Sequence, residues 1–90
     1  MDDYYKELMD FFAAWFPDAD LEGLSDEQVV EEYIKTATPA MRYKVTAQCR
    51  ALLEQPTLPL RLIAKNAWRL FETQEECRQW VEGIERKLSM

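Results

Sequence analysis

The 90-residue chain contains no histidine, only two cysteines and only two glycines. Histidine is the commonest general base and metal ligand in proteins, so its absence excludes serine–histidine and cysteine–histidine catalysis. Cys49 and Cys77 stand 28 positions apart, and two thiols without histidine cannot complete a structural zinc site. Hydrophobic residues make up 48% of the chain and charged residues 31%, with only two glycines and four prolines, which argues against collagen-like, low-complexity and disordered chains.

Long apolar runs and a basic N-terminal segment are also missing from the sequence. Asp2 and Asp3 stand where a secretory signal peptide would carry basic residues. No apolar stretch approaches the roughly 20 residues that are needed to span a bilayer. We therefore expect a soluble, cytoplasmic protein that keeps both thiols reduced and binds no membrane.

The charge of the chain is acidic and unevenly distributed. Seventeen acids against eleven bases give a net charge of −6, which disfavours direct nucleic-acid binding because phosphate contacts need clustered lysine and arginine. The first 36 residues hold eleven acids and two bases, and the other 54 hold six acids and nine bases. This split predicts a negative potential on the N-terminal part, which favours a basic protein partner.

The spacing of apolar residues predicts helices and no strand. A first helix is predicted over residues 2–16, ending at Pro17, with a loop over residues 17–24. Ser25 and Gln28 form a capping box at the start of a second, acidic helix.

Three further helices follow in the same pattern. Thr38 and Pro39 predict the start of a third helix that ends near position 54, because threonine caps and proline fits the first helical position. The fourth helix follows Pro59, and its apolar spacing runs to Phe71. Thr73 caps the last helix, in a second capping box. The predicted fold is an all-α bundle of about five helices, forming one domain over residues 1–90.

Most aromatic residues lie on the apolar stripes of these helices, so we expect them in the core. This group comprises Phe11, Phe12, Trp15, Phe16, Trp68, Phe71 and Trp80. Tyrosine combines contact area with a hydrogen-bonding group, so Tyr4, Tyr5 and Tyr43 are predicted to form surface contacts.

The acids of the predicted loop and second helix are the candidate partner-binding residues. They are Asp18, Asp20, Glu22, Asp26, Glu27 and Glu31. A solvated, solubilising face is the simpler interpretation of any one of them. A calcium site fits poorly, because the twelfth position of an EF-hand loop counted from Asp18 is Val29 rather than glutamate. We expect no metal, no cofactor and no catalytic residue.

A basic stripe is predicted on the fourth helix, where Arg61, Lys65 and Arg69 follow at intervals of four. Such a stripe could contact phosphates. In an acidic chain we favour a solvated face, or one that pairs with Glu72 or the acidic N-terminal part.

The order of these features resembles small immunity proteins of bacterial contact-dependent growth inhibition systems. The resemblance rests on an aromatic first helix ending in Trp15-Phe16, the Asp20-Leu21-Glu22 segment and the Ser25-Asp26-Glu27-Gln28 helix start. Three later features agree in outline: Leu52-Leu53-Glu54, Thr57-Leu58-Pro59, and Trp80-Val81 with Ile84. Together these features cover nearly the whole chain.

The resemblance implies a cytoplasmic inhibitor without enzymatic activity. Such a protein binds the C-terminal toxin domain of a cognate secreted effector, commonly a basic nuclease, and blocks it. The alternative from the residues alone is a non-enzymatic helical adaptor or regulatory module that binds other proteins.

Overall fold

The computed structural model describes residues 3–89, without the side chains of Asp3 and Asp20. This part of the chain forms a short 3₁₀ turn, five α-helices and no strand. The helices are α1 (Lys6–Glu22), α2 (Asp26–Thr36), α3 (Pro39–Leu53), α4 (Leu60–Ala67) and α5 (Gln74–Leu88). The predicted all-α fold of five helices is confirmed.

Helix α1 lies at the centre of the bundle and packs against α2, α3 and α4, while α5 closes the core against α2 and α3. The molecule measures 31 × 28 × 22 Å. Large side chains that are fully buried come from every helix, and they include Leu8, Phe12, Phe16, Val29, Val30, Val45, Leu52, Ile63, Val81 and Leu88. No described helix is both long and apolar enough to cross a membrane.

The predicted helix starts at Ser25, Thr38 and Thr73 are confirmed. The Ser25 hydroxyl accepts from the Gln28 backbone N–H at 3.2 Å, and the Gln28 side chain accepts from the Ser25 N–H at 2.8 Å. Thr38 and Thr73 each accept from the backbone N–H three residues later, at 3.1 Å. These bonds satisfy N–H groups that a helix start leaves without a partner.

Helix α1 is capped from another helix. The buried Gln48 side chain of α3 accepts a hydrogen bond from the Leu8 N–H at 2.9 Å. This contact satisfies an N–H in the first turn of α1 and fixes the two helices against each other.

The predicted end of the first helix at Pro17 is wrong, and so is the predicted loop that follows. Helix α1 starts at Lys6, whereas position 2 lies outside the described residues, and it runs through Pro17 to Glu22. Gly23 then ends it in the left-handed conformation, with φ 72°, which glycine adopts without strain. Phe16 and Ala19 are both buried, and their packing requires a helical path on either side of the proline.

Helix α4 is shorter than predicted. It ends at Ala67, because Trp68 adopts the left-handed conformation with φ 55° and ψ 47°. The prediction that Trp68 lies in the core is wrong, since its side chain is 64% exposed. Phe71 comes after the turn rather than on the helix, and it packs against Trp80 with ring centroids 5.7 Å apart.

The other predicted core aromatics pack as expected. Phe11, Phe12 and Phe16 are buried, while Trp15, Phe71 and Trp80 are partly buried against them. Tyr4 and Tyr43 are exposed as predicted, whereas Tyr5 is half-buried.

Both cysteines are free and buried. Burial raises the pKa of the Cys49 thiol to about 12 and also raises the pKa of the Cys77 thiol. Both side chains therefore act as small apolar residues of the core.

We expect Pro17→Ala to raise the free energy of unfolding by about 1–3 kcal/mol, because proline inside a helix removes one backbone hydrogen bond and crowds the preceding turn. Urea denaturation followed by circular dichroism measures the change.

Pro39→Ala is the matched control, because proline at the first position of α3 removes no helical bond. Pro39→Ala should therefore not raise the free energy of unfolding. Equal effects of the two substitutions would contradict the assignment of strain to position 17.

Candidate functional site

Helix α2 carries the centre of the predicted acidic site. It packs against α1 on one side and against α5 on the other, and the Glu27, Glu31 and Glu32 side chains are exposed. The remaining predicted acids lie on α1 or at the start of α2. The structure therefore divides the acidic site into two groups, one on each side of α2.

The first group borders a groove between α1 and α2. Asp18, Glu22 and Glu32 line this groove of about 480 Å³, and all three carboxylates are exposed. Apolar side chains form the rest of the lining, and they are Ala14, Trp15, Ala19, Leu24 and Val29. The Asp20 side chain lies outside the described part of the structure, so only its place in α1 is known.

The acids at the end of α1 oppose the electrostatics of their own helix. The C-terminal end of a helix carries partial negative charge, so acids there are unfavourable. Asp18 and Glu22 stand four positions apart in α1, whose last turn contains no basic residue. Like charges at this spacing repel each other. Their position does not stabilise the fold, which marks them as candidates for binding.

The second group contains Asp26, whose carboxylate bonds two residues distant in sequence. Its Oδ1 accepts from Nη2 of Arg69 at 2.5 Å, and its Oδ2 accepts from the Trp80 indole N–H at 2.7 Å. The Arg69 side chain is 18% exposed and the Asp26 side chain 35% exposed. Asp26 thus joins the start of α2 to α5 and to the α4–α5 connection.

Glu27 and Glu31 border the α2–α5 side of the site. Glu27 is exposed and lines a shallow groove with Gln79, Trp80 and Lys87. Glu31 forms an ion pair with Lys87 at 2.8 Å. The hydrogen bond from Lys87 and its positive charge hold the pKa of the Glu31 carboxyl below its ordinary value, so this carboxylate stays charged to lower pH.

The predicted basic stripe is broken in the structure. Arg61 and Lys65 lie on α4 and are exposed, but Arg69 follows the end of that helix and turns toward Asp26. The prediction that part of the stripe pairs with the acidic N-terminal part is therefore confirmed for Arg69.

Sequence reasoning missed Glu32 as a member of the groove. Glu32 lies three positions after Val29, and both line the groove, as neighbours on one side of a helix can. The sequence could indicate Glu32 as a groove residue only if residues 17–22 were known to be helical, because this helical path places Asp18 and Glu22 opposite α2.

The chemistry of the site suits a cationic binding partner. The described residues contain no cluster of three or more side chains suited to hold a metal ion. Exposed carboxylates around a shallow, partly apolar groove suit the ammonium or guanidinium group of a basic protein together with its aliphatic stem.

One comparison with known proteins gave a match. A family model described as CdiI immunity protein matches residues 4–88, which is nearly the whole chain. No curated protein and no solved structure matches it.

Removing the Asp26 carboxylate should destabilise the fold. We expect Asp26→Ala to lower the free energy of unfolding by about 2–4 kcal/mol, because Arg69 and the Trp80 N–H then lose a partner in a partly buried place. Urea denaturation of the purified variant measures the loss.

Glu27→Ala is the matched control, since it removes an exposed acid from the same first helical turn. Both substitutions remove a favourable charge from the N-terminal end of α2. Beyond that shared loss, Glu27→Ala should change the free energy of unfolding by no more than about 0.5 kcal/mol. A loss as large as that of Asp26→Ala would show that helix-end charge, rather than the Arg69 and Trp80 contacts, is responsible.

Proposed function

The chain belongs to the CdiI immunity protein family and has a toxin-neutralising immunity role, and we propose that it acts by binding a basic surface on the toxin domain of its cognate effector. The proposed toxin is a nuclease of a contact-dependent growth inhibition system. The proposed surface comprises Asp18, Asp20, Glu22, Asp26, Glu27 and Glu31, extended by Glu32. Within it, Asp26 and Glu31 are bonded to Arg69 and Lys87 of the same chain, so they border the contact rather than carry it.

The observation that carries this proposal is the unfavourable placement of Asp18 and Glu22. Both carboxylates are exposed, and both lie toward the negative end of α1. A basic partner would neutralise this repulsion, so binding relieves an electrostatic cost of the free protein.

A nuclease suits this surface because an enzyme that holds phosphates needs a basic face. Acidic side chains can occupy such a face in place of phosphate or can bind beside it. Because the immunity protein would block the nuclease by occupying this face, it requires no catalytic group of its own. The proposal places this binding in the cytoplasm, in keeping with two free, buried thiols.

The members of the proposed surface divide into two kinds. Asp18, Glu22 and Glu27 are exposed carboxylates that can meet the toxin directly. Asp26 bonds Arg69 and Trp80 within the chain, so its contribution to binding is to hold the start of α2 in place.

The experiment that identifies the partner is a tagged pull-down from native lysate at low and high salt, with mass spectrometry of the retained proteins. Recovery of the basic C-terminal fragment of one large secreted protein supports the proposal and supplies the toxin for kinetic work. Recovery of several unrelated cytoplasmic proteins, with no such fragment even when the toxin locus is expressed, favours a helical adaptor instead.

Reversing the α1 acids should weaken binding without weakening the fold. We expect Asp18→Lys with Glu22→Lys to slow association with the purified toxin by about tenfold or more at low ionic strength. Lysine is favourable near a helix C-terminus, so the midpoint of urea unfolding should not fall. Surface plasmon resonance at 50 mM and 500 mM salt measures the rates, and salt should reduce the difference from the native protein.

The matched control is Glu54→Lys with Glu75→Lys, which reverses two exposed acids elsewhere and changes the net charge by the same amount. Its association rate should stay within about twofold of the native rate if location controls steering. Equal slowing of both variants would assign the effect to net charge, and unchanged rates for both would remove the α1 acids from the interface.

A further inference from the structure

Helix α1 carries a second apolar stripe on the side that faces solvent. Ala14, Pro17 and Leu21 follow at intervals of three and four positions, which places them on one side of the helix. Ala14 is exposed, Pro17 is partly buried and Leu21 is 84% exposed. This spacing is the one by which paired helices contact each other. We call these three residues the outer stripe of α1.

Acidic side chains border the outer stripe. Asp18 lies three positions before Leu21, the spacing at which side chains on a helix are neighbours, and Glu22 follows Asp18 by four positions. Residues 13–22 contain three acids and no base. Ala14 also lines the groove between α1 and α2 together with Asp18 and Glu22, so the stripe and the groove form one continuous surface.

The carboxylates of Asp18 and Glu22 bond no other side chain within the described residues. Lys35 of α2 pairs instead with Glu32, the third acid of the groove, at 3.5 Å. Two further ion pairs lie near the start of α1, and they are Lys6 with Asp10 and Lys44 with Glu7. The surface around Leu21 is therefore negative.

Helix α4 and the connection after it approach α1 on a different side. The Asn66 side chain donates to Sδ of Met9 at 3.6 Å, and the Arg69 guanidinium lies over the Phe16 ring, with Cζ 5.5 Å from the centroid. Met9 and Phe16 are turned from Leu21 by about 120° and 140° around the helix, at 3.6 residues per turn. The bases of this region are therefore not on the side of the outer stripe.

Further bonds hold Arg69 in that position. Its Nη1 donates to the backbone carbonyls of Ala67 at 3.3 Å and Trp68 at 3.2 Å, and its Nη2 bonds Asp26. The charge of Arg69 is thus used within the fold, away from the outer stripe.

Pro17 adds a hydrogen-bond acceptor to this negative surface. Proline has no N–H, so the Ala13 carbonyl lacks the hydrogen bond that position 17 supplies in a regular helix. Ala13 is exposed, which leaves this carbonyl to solvent or to a partner. An acceptor close to two carboxylates suits ammonium or guanidinium donors.

We propose that the outer stripe of α1 seats a helix of the toxin whose own apolar seam is bordered by lysine or arginine. The apolar seam packs on Ala14 and Leu21, and the bordering basic groups bond Asp18 and Glu22, as charged residues beside a helix seam do. This inference rests on the proposed function and deepens it. The small side chain of Ala14 lets the two helices approach closely. A second copy of this chain fits poorly, because its stripe would bring acids against acids.

The test uses Leu21→Gln in the full chain, with the toxin domain identified by the pull-down. Glutamine has nearly the helix propensity of leucine and position 21 is exposed, so the urea midpoint should not change. We expect the dissociation rate to rise about tenfold or more. The association rate should change by less than about threefold, because the charge is unaltered.

Leu70→Gln is the matched control, since Leu70 is 85% exposed and the substitution is the same. Its dissociation rate should stay within about twofold of the native rate. Equal increases for the two variants would assign the effect to a general loss of apolar surface and overturn the inference.

Ala14→Gln tests whether a helix lies along the whole stripe. The added bulk should hold the two helices apart and raise the dissociation rate, while the exposed position leaves the fold unchanged. A rise for Leu21→Gln without a rise for Ala14→Gln would indicate contact at the leucine alone and overturn the seating of a helix.

Two outcomes separate this inference from the proposed function. Unchanged dissociation for Leu21→Gln, with slowed association for Asp18→Lys with Glu22→Lys, would overturn the inference and leave the proposed function in place. Failure of the native protein to bind the toxin would overturn both.

Analytical ultracentrifugation of the free protein tests the competing occupant. A native monomer is expected. A native dimer that Leu21→Gln converts to monomer would assign the outer stripe to self-association and overturn its assignment to the toxin.

Discussion

The Asp26 carboxylate is the contact through which the parts of the bundle around the acidic surface are held together. One oxygen bonds Arg69 and the other bonds the Trp80 indole, so three separate stretches of chain meet at one residue. The Arg69 guanidinium also covers the Phe16 ring of α1. The contact joins the start of α2 to the α4–α5 connection and to Trp80, which also packs against Phe12 and Phe16.

This arrangement explains why the acids of the chain differ in role. Asp26 and Glu31 have basic partners distant in sequence, and their charges are used within the fold. Glu22 ends its helix, where negative charge is disfavoured, and Asp18 stands four positions before it, where the two carboxylates repel each other. Counting charges along the chain treats these acids alike, because a count contains neither the partner of a carboxylate nor its position along a helix dipole.

Local chemistry was enough to predict most of the architecture. The starts of α2, α3 and α5 follow from capping residues whose hydrogen bonds lie within three positions, and the core stripes follow from helical spacing. The errors at Pro17 and Trp68 have a different origin. In both places contacts from distant residues override a local preference, since the burial of Phe16 and Ala19 carries α1 through a proline and Arg69 holds a tryptophan in a glycine conformation. Glu32 could not be predicted as part of the candidate site for the same reason, because the groove that it lines exists only when residues 17–22 are helical.

The unfavourable local features are concentrated around one part of the molecule. Repelling carboxylates end α1, a strained and exposed tryptophan ends α4, and the Asp26 contact supports the region between them. A small domain has little stability to spare, so several such features persist only where the remaining core offsets them. The central α1, which buries Leu8, Phe11, Phe12, Phe16 and Ala19 and is capped by Gln48 from α3, provides that support. The bundle can therefore present a charged and apolar surface that is poorly suited to folding alone and well suited to contact with a partner.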